Sequence, residues 1–361
     1  MPDFHTPLCD LLGCRYPIVQ TGMGWVTGSE LVAATTNAGG FGFLAGATIA
    51  ADRIEAEIVR VRELTGDKPF GLNFHMFQPN AAQLLDLAVK HRIRAVSYGR
   101  GPDKKVIGRL RDAGIVCMPT VGALKHALKA IEMGANVITI QGAEGGGHTG
   151  SVPTTVLLPQ VVDVVKVPVV AAGGFYDGRG LLAALAYGAQ GIAMGTRFLM
   201  TTDSKVPAAT LERYLKTRDA EKIQVSYLVD GMPQRMIPNE YLAMLEKASP
   251  LRRLQIALKL ALQYKSQTGM TSAHALKVLW QGVRDDTGGV AQTVMAANAP
   301  MLLQRSMIEG NPAEGVMASG QVAALINRLQ SCQEVIEGII AQARERSDAL
   351  MALSAVEVSH V

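Results

Sequence analysis

A histidine set among glycines is the residue of this chain with the clearest chemical potential. His148 lies in QGAEGGGHTG (141–150), where five of ten residues are glycine. An imidazole changes charge near neutral pH and can carry a proton to or from a substrate. Neighbours this small cannot bury it. Glu144, four residues earlier, either orients the ring or stays solvated. His75, two residues past Asn73, is a second candidate, as a proton carrier or a substrate contact. The same loop spells G-x-G-x-x-G through Gly145, Gly147 and Gly150. A dinucleotide fingerprint needs a helix at once and a carboxylate about 20 residues on. Here SVPTT intervenes and the next strand ends in AAGG, so the glycines read instead as clearance for a flat ring. Four cysteines (Cys9, Cys14, Cys117, Cys332) form no CxxC pair and no cluster with histidine at metal spacing. They read as reduced thiols, and no metal site is expected.

Eight short apolar runs space these residues along the chain: IVQTG (18–22), GFGFLAG (40–46), FGLNF (70–74), AVSYG (95–99), VCMPTV (116–121), VITIQG (137–142), VVAAGG (169–174) and GIAMGT (191–196). Each ends at a glycine or turn signal, and amphipathic helical stretches lie between them. Continuous apolar strands imply a parallel sheet covered on both faces. Eight of them predict an α/β fold, the (β/α)8 TIM barrel; an open doubly wound sheet is disfavoured by the count. After Thr196 the rhythm stops. Residues 204–315 read as mainly helical, with LRRLQIALKLALQYK (251–265) the clearest helix. ASGQVAALINRLQSCQEVIEGIIAQARER (318–346) reads as one long helix returning as the eighth of the barrel. The expected organisation is a barrel of residues 1–203 and 316–361, with a helical lid of 204–315 inserted between strand 8 and helix 8.

Barrel chemistry gathers at the C-terminal ends of the strands. Those ends present Gly22, Met23 and Gly24, then Asn73 and His75, then Gln141 to Gly150, then Gly173 and Gly174, and last Gly195 and Thr196. The last two pairs follow strands seven and eight, where bare backbone N–H groups can approach a phosphate. The blander reading is that these glycines only close turns. FYDGRG (175–180) opens a helix there and would add its dipole.

With 361 residues, 48% hydrophobic and 18% charged, the chain has the makings of a globular enzyme. A net charge of +4 with scattered basic residues argues against nucleic acid as partner. No apolar run approaches the ~20 residues of a membrane span, and the first residues lack a signal-peptide pattern, so a cytoplasmic location is expected. The basic helix 251–265 reads as a lid helix rather than a membrane anchor. A homodimer is left open.

QGAEGGGHTG resembles the signature loop of the nitronate monooxygenase (2-nitropropane dioxygenase-like) flavoenzymes. AAGGFYDGRGLLAALAYGAQGIAMGTRFLMT, PIVQTGMGWV with NAGGFGFLAG, and KPFGLNF are similar to other barrel segments of that family. The resemblance covers residues 8–203 and resumes at ASGQVAALI. It implies non-covalent FMN, with Gly173, Gly174, Gly195 and Thr196 at its phosphate. Gly22, Met23, Gly24, Asn73, Gln141, Gly146, Gly147 and Gly150 would lie along the rest of the cofactor, and His148 would be the active-site histidine. EGGGHTG, TDSKVP, VDGMPQR (229–235) and VMAANAPMLL (294–303) are similar to a narrower branch. Its members are flavin-dependent reductases of steroid C/D-ring breakdown that act on a hydroindane carboxyl-CoA thioester. That branch implies NAD(P)H as electron donor and a CoA thioester as substrate. Arg252, Arg253, Lys259 and Lys265, or Arg100, Lys104 and Lys105, would then receive CoA phosphates; a solvated basic face remains the alternative. The wider family implies nitronate oxidation with oxygen as the rival reaction, and a non-redox phosphate-binding barrel is the rival class.

Overall fold

In the computed structural model, residues 4–75, 78, 80–99, 104–268 and 298–354 are described. Eight strands form a closed parallel barrel: β1 (Ile18–Gln20), β2 (Phe41–Ala45), β3 (Gly71–Phe74), β4 (Ala95–Tyr98), β5 (Val116–Val121), β6 (Ile138–Gln141), β8 (Val169–Ala172) and β9 (Gly191–Met194). β7 (Gly147–His148) leaves the barrel. Ile18 pairs with Ile192, which closes the ring between first and last strands. The chain is a (β/α)8 TIM barrel.

β8 stops short of its terminal glycines, since Gly173 (φ +91°) and Gly174 (φ +85°) take a left-handed backbone incompatible with the ladder. Inside the barrel, Val19, Phe41, Phe43, Val116 and Val170 form one apolar cluster with Leu8 and Leu12 of the N-terminal helix Pro7–Leu12. That helix therefore packs against the barrel's interior residues. Gly71 is required here, because a Cβ would lie 2.3 Å from the Phe43 ring.

The C-terminal helix Cys332–Ser354 packs against the helices Ser29–Asn37 and Gly178–Ala186 as the eighth helix of the ring. It is shorter than the sequence pattern suggests. Residues 317–331 instead form β12 (Met317–Ala318), a 3-10 turn (Gln321–Leu325) and a bridge from Gln330 to Thr201. Backbone groups of this stretch are taken by the barrel: Gly320 N donates to Thr196 Oγ1 (2.9 Å) and Gln321 N to the Glu144 carbonyl (3.1 Å). The helix can start only at Cys332, whose N–H is capped by Asp203 Oδ2 (2.6 Å).

Between β9 and that helix, the chain is not only helical. Helices Ala208–Lys216, Glu240–Lys247, Pro250–Thr268 and Asn298–Met307 are joined by β10 (Gln224–Ser226) and β11 (Gln234–Ile237). β11 pairs antiparallel with β10, β12 and β7, making a four-stranded sheet. The insertion has its own apolar cluster, including Val229, Met236, Leu242, Leu260 and Leu302. All four cysteines are free. Among the described residues, no helix is long and apolar enough to cross a membrane.

Candidate active site

The strand ends form a crown in which neighbouring turns touch. A Cβ at Gly22 would lie 2.3 Å from Asn73 Cβ, so the turn after β1 lies against the end of β3. Asn73 Nδ2 is fixed by the Ser97 carbonyl (3.1 Å). Gly195, at the end of β9, faces Met23: a Cβ there would stand 3.3 Å from its Sδ. Gly24 is backed by Thr48, whose Oγ1 accepts from Trp25 N (2.9 Å). Trp25 holds a left-handed backbone (φ +66°), and its indole Nε1 donates to the Pro300 carbonyl in the insertion (2.9 Å).

At the end of β8, Gly173 packs on Gly142, while Gly174 is exposed, with Glu144 as its nearest neighbour at 3.6 Å from a notional Cβ. The helix after it begins at Gly178 and is capped by Asp177, whose Oδ1 accepts from Gly180 N (3.2 Å). A carboxylate thus already occupies that helix terminus, and the dipole expected there is not free for an anion. Bare backbone at Gly174 and Gly195 remains.

Loop 141–150 is held along its length. Gln141 Nε2 donates to the His148 carbonyl (2.8 Å). Glu144 does not orient His148, nor is it simply solvated: it accepts from Thr154 N (3.0 Å) and Thr154 Oγ1 (2.8 Å), and so staples the loop to the next helix, Thr154–Val162. Gly146 slides under the returning chain, where a Cβ would lie 2.5 Å from Gly320 N. Gly147 has φ +67° with open space beside it, and Gly150 packs on the Gly122 carbonyl.

His148 itself projects from β7, its side chain 52% exposed. Its Nε2 lies 2.7 Å from Asp230 Oδ2, and that carboxylate is only 3% exposed. Gln234 Nε2 donates to the same oxygen (2.6 Å), and Met232 N to the other (3.1 Å). Gln234 stands opposite His148 in the β7–β11 pairing. Behind them, Asn298 Nδ2 holds the Val229 carbonyl (3.2 Å), and Arg235 donates to the carbonyls of Ala143 (2.9 Å) and Ile223 (2.7 Å). Burial pushes the Arg235 pKa down, opposed by the charge of Glu144. Sequence reasoning missed Asp230 and Gln234 as partners of His148. Both lie in VDGMPQR, which stood out only as a segment shared with the narrower branch.

Other expected residues lie elsewhere. His75 is exposed just past β3, with its N–H on Gln78 Oε1 (3.0 Å). Arg253 is occupied, donating to the carbonyls of Leu245 (2.9 Å) and Glu246 (3.1 Å) at the end of the preceding helix. Arg252 is exposed, 3.4 Å from Gln255 Oε1. Lys104 and Lys105 begin the helix Lys104–Asp112 and are exposed, whereas Arg100 and residues 294–297 lie outside the described residues.

The sequence model of the family described as nitronate monooxygenase matches residues 5–90 and 81–342. The chain belongs to that family. Among curated proteins, it is similar to a (3aS,4S,5R,7aS)-5-hydroxy-7a-methyl-1-oxo-octahydro-1H-indene-4-carboxyl-CoA dehydrogenase of Rhodococcus jostii RHA1, 46% identical over 98% of this chain and 100% of the relative. The Mycobacterium tuberculosis H37Rv protein of the same name is 45% identical over 94% of this chain and 96% of the relative. Among solved structures, FabK from Thermotoga maritima is similar, at TM-score 0.76 and 29% identity over 97% of this chain and 99% of that one. This member of the nitronate monooxygenase family is an oxidoreductase. Its crown suits the FMN that the resemblance implies. The bare backbone at Gly174 and Gly195 would be filled by any side chain, and a Cβ at Gly195 would stand within 3.3 Å of both Thr21 and Met23. Gly173, Gly174, Gly195 and Thr196 would hold the phosphate, and Met23, Asn73 and Gln141 would flank the ring and ribityl chain.

Proposed function

We propose that this protein is an FMN-dependent oxidoreductase of a bicyclic carboxyl-CoA thioester, exchanging hydrogen across the bond next to the thioester carbonyl. The observation that carries the reading is His148, half exposed beside the crown with one ring nitrogen bound to a buried carboxylate. Identity of 46% that runs through the insertion to a protein named for such a substrate supports the substrate class. FMN, when bound, supplies the hydride chemistry, with NAD(P)H as the electron donor. His148 moves the proton at the carbon α to the thioester, and its half exposure lets solvent restore its protonation state. N–H groups of the crown polarise the thioester carbonyl. Arg252 and Lys259, both exposed on the helix Pro250–Thr268, receive CoA phosphates, while Arg253 stays on its two carbonyls. The free thiols support a cytoplasmic site of action.

Anaerobic stopped-flow mixing tests this reading. NADH or NADPH should bleach the flavin, and an unsaturated bicyclic acyl-CoA should restore its colour. Bleaching by the saturated hydroxy-thioester alone would fix the opposite direction, the one in the two relatives' names. Inertness to nicotinamides and thioesters, with bleaching by an alkyl nitronate, would sink the proposal in favour of nitronate oxidation. A colourless protein that takes up no FMN would sink both.

A further inference from the structure

We propose that Asp230, braced by Gln234, is the positioning residue that fixes the tautomer of His148. In this arrangement Nε2–H is held by the insertion and Nδ1 is left to handle the substrate proton. The proposal rests on the reading of His148 as the proton carrier.

The argument begins with the donors around Asp230. A carboxylate oxygen can only accept, so an imidazole nitrogen 2.7 Å from Asp230 Oδ2 must carry the hydrogen. The Gln234 amide donates to that same oxygen, which brings its nitrogen to 3.2 Å from His148 Nε2. Two donors thus converge on one oxygen. The other oxygen is tied to Met232 N, so the carboxylate cannot rotate away without losing a partner. Backbone pairing of His148 with Gln234 and of Gly147 with Arg235 fixes the ring's origin relative to this carboxylate. With Nε2 engaged, Nδ1 is the ring nitrogen remaining, on a side chain that is 52% exposed.

The proton balance follows. In the reductive direction a hydride, which reduced FMN would supply, goes to the β-carbon and the Nδ1 proton of the imidazolium goes to the α-carbon. The ring is left neutral, with Nε2–H still on Asp230, and water returns the proton to Nδ1. In the oxidative direction the neutral ring takes the α-proton on Nδ1, the β-hydride leaves to the oxidised FMN that would be bound, and the imidazolium formed is met by the Asp230 carboxylate. A carboxylate in this place stabilises one tautomer in both directions.

The test uses the FMN-loaded full-length protein labelled with 15N-histidine, with the His148 signals assigned from the His148→Gln spectrum. In the wild type, neutral His148 should show the proton on Nε2; a proton on Nδ1 overturns the proposal outright. In Asp230→Asn, which keeps shape but can offer an N–H instead, the proton should move to Nδ1. Turnover number should fall at least a hundredfold, while KM and FMN content stay within twofold. Asp230→Glu should recover part of that loss with Nε2–H retained. A protein whose tautomer and turnover number survive Asp230→Asn overturns the proposal. If Asp230→Asn fails to fold, the wild-type tautomer and Asp230→Glu decide. Failure of the underlying reading is seen separately: His148→Gln would then keep full turnover whatever the tautomer.

Discussion

The first half of loop 141–150 is fastened mainly within the barrel, whereas the second half takes its long-range partners from the insertion. Ala143 N bonds to the Val152 carbonyl, Gly142 N to the Ala172 carbonyl, and Glu144 to Thr154, all within one βα unit and its neighbour. Between Gly147 and Thr149 the long-range partners are Arg235, Gln234, Asp230 and Pro233, which come more than 80 residues later. Two carboxylates of equal charge therefore do different work. Glu144 fastens the loop locally, and Asp230 holds the His148 ring at a distance in sequence. Nearness in sequence pointed to the wrong one.

Substitutions can break the two halves apart. The largest effect is expected for His148→Ala, which should lower the turnover number by about 10²–10⁴-fold with FMN retained, as for loss of a proton carrier. Loss of flavin instead, seen in the visible spectrum of the purified protein, would assign the ring to cofactor binding. Next is Gly174→Val on the barrel side. Its left-handed backbone (φ +85°) and exposed position predict weaker FMN retention, by a few kcal/mol in a fluorimetric titration. Undiminished retention in a folded protein would mean the phosphate lies elsewhere.

Glu144→Ala should cost about 1–3 kcal/mol in denaturant unfolding, since Thr154 N and Oγ1 lose a charged acceptor. It should leave the His148 tautomer unchanged, because the insertion half stays intact. A changed tautomer would show that the two halves act as one. The smallest effect concerns Arg213 and Glu240, whose bidentate pair joins two exposed surface positions of the insertion. Arg213 holds the Glu240 carboxyl down at about 2, against an ordinary 4.5. A depressed carboxylate contributes stability above pH 4.5 and loses it as the pH falls towards 2. Arg213→Gln should therefore cost a few tenths of a kcal/mol near neutrality, and the cost should shrink as the pH falls through about 2, measured as the difference between two unfolding curves.

The barrel was legible because each of its strands is announced within a few residues. All eight predicted runs contain a strand of the structure, and the seventh is trimmed where Gly173 and Gly174 turn left-handed. The exposure of His148 was legible for a similar reason, since its neighbours are too small to hide it. What escaped was set by contacts between distant segments. ASGQVAALI has helical periodicity, yet Thr196 and Glu144 capture its backbone groups and hold it as a strand and a 3-10 turn. QVS (224–226) and QRMI (234–237) are too short to announce strands, and become so because β11 finds partners on both edges. Asp230 carries no local mark of its role, since its partner lies 82 residues away.

The sheet around β11 has a consequence for anyone recombining this protein with its relatives. A strand that accepts residue 148 on one side of the insertion and residues 317–318 on the other makes the insertion a clasp rather than a cassette. Cutting at 204 and 315 would sever every one of these pairings. A chimera that exchanges 223–237 together with 146–149 and 317–321 transfers the clasp whole. Such a chimera should carry substrate preference with it, whereas an exchange at the apparent boundaries should yield a protein that binds flavin and turns over nothing.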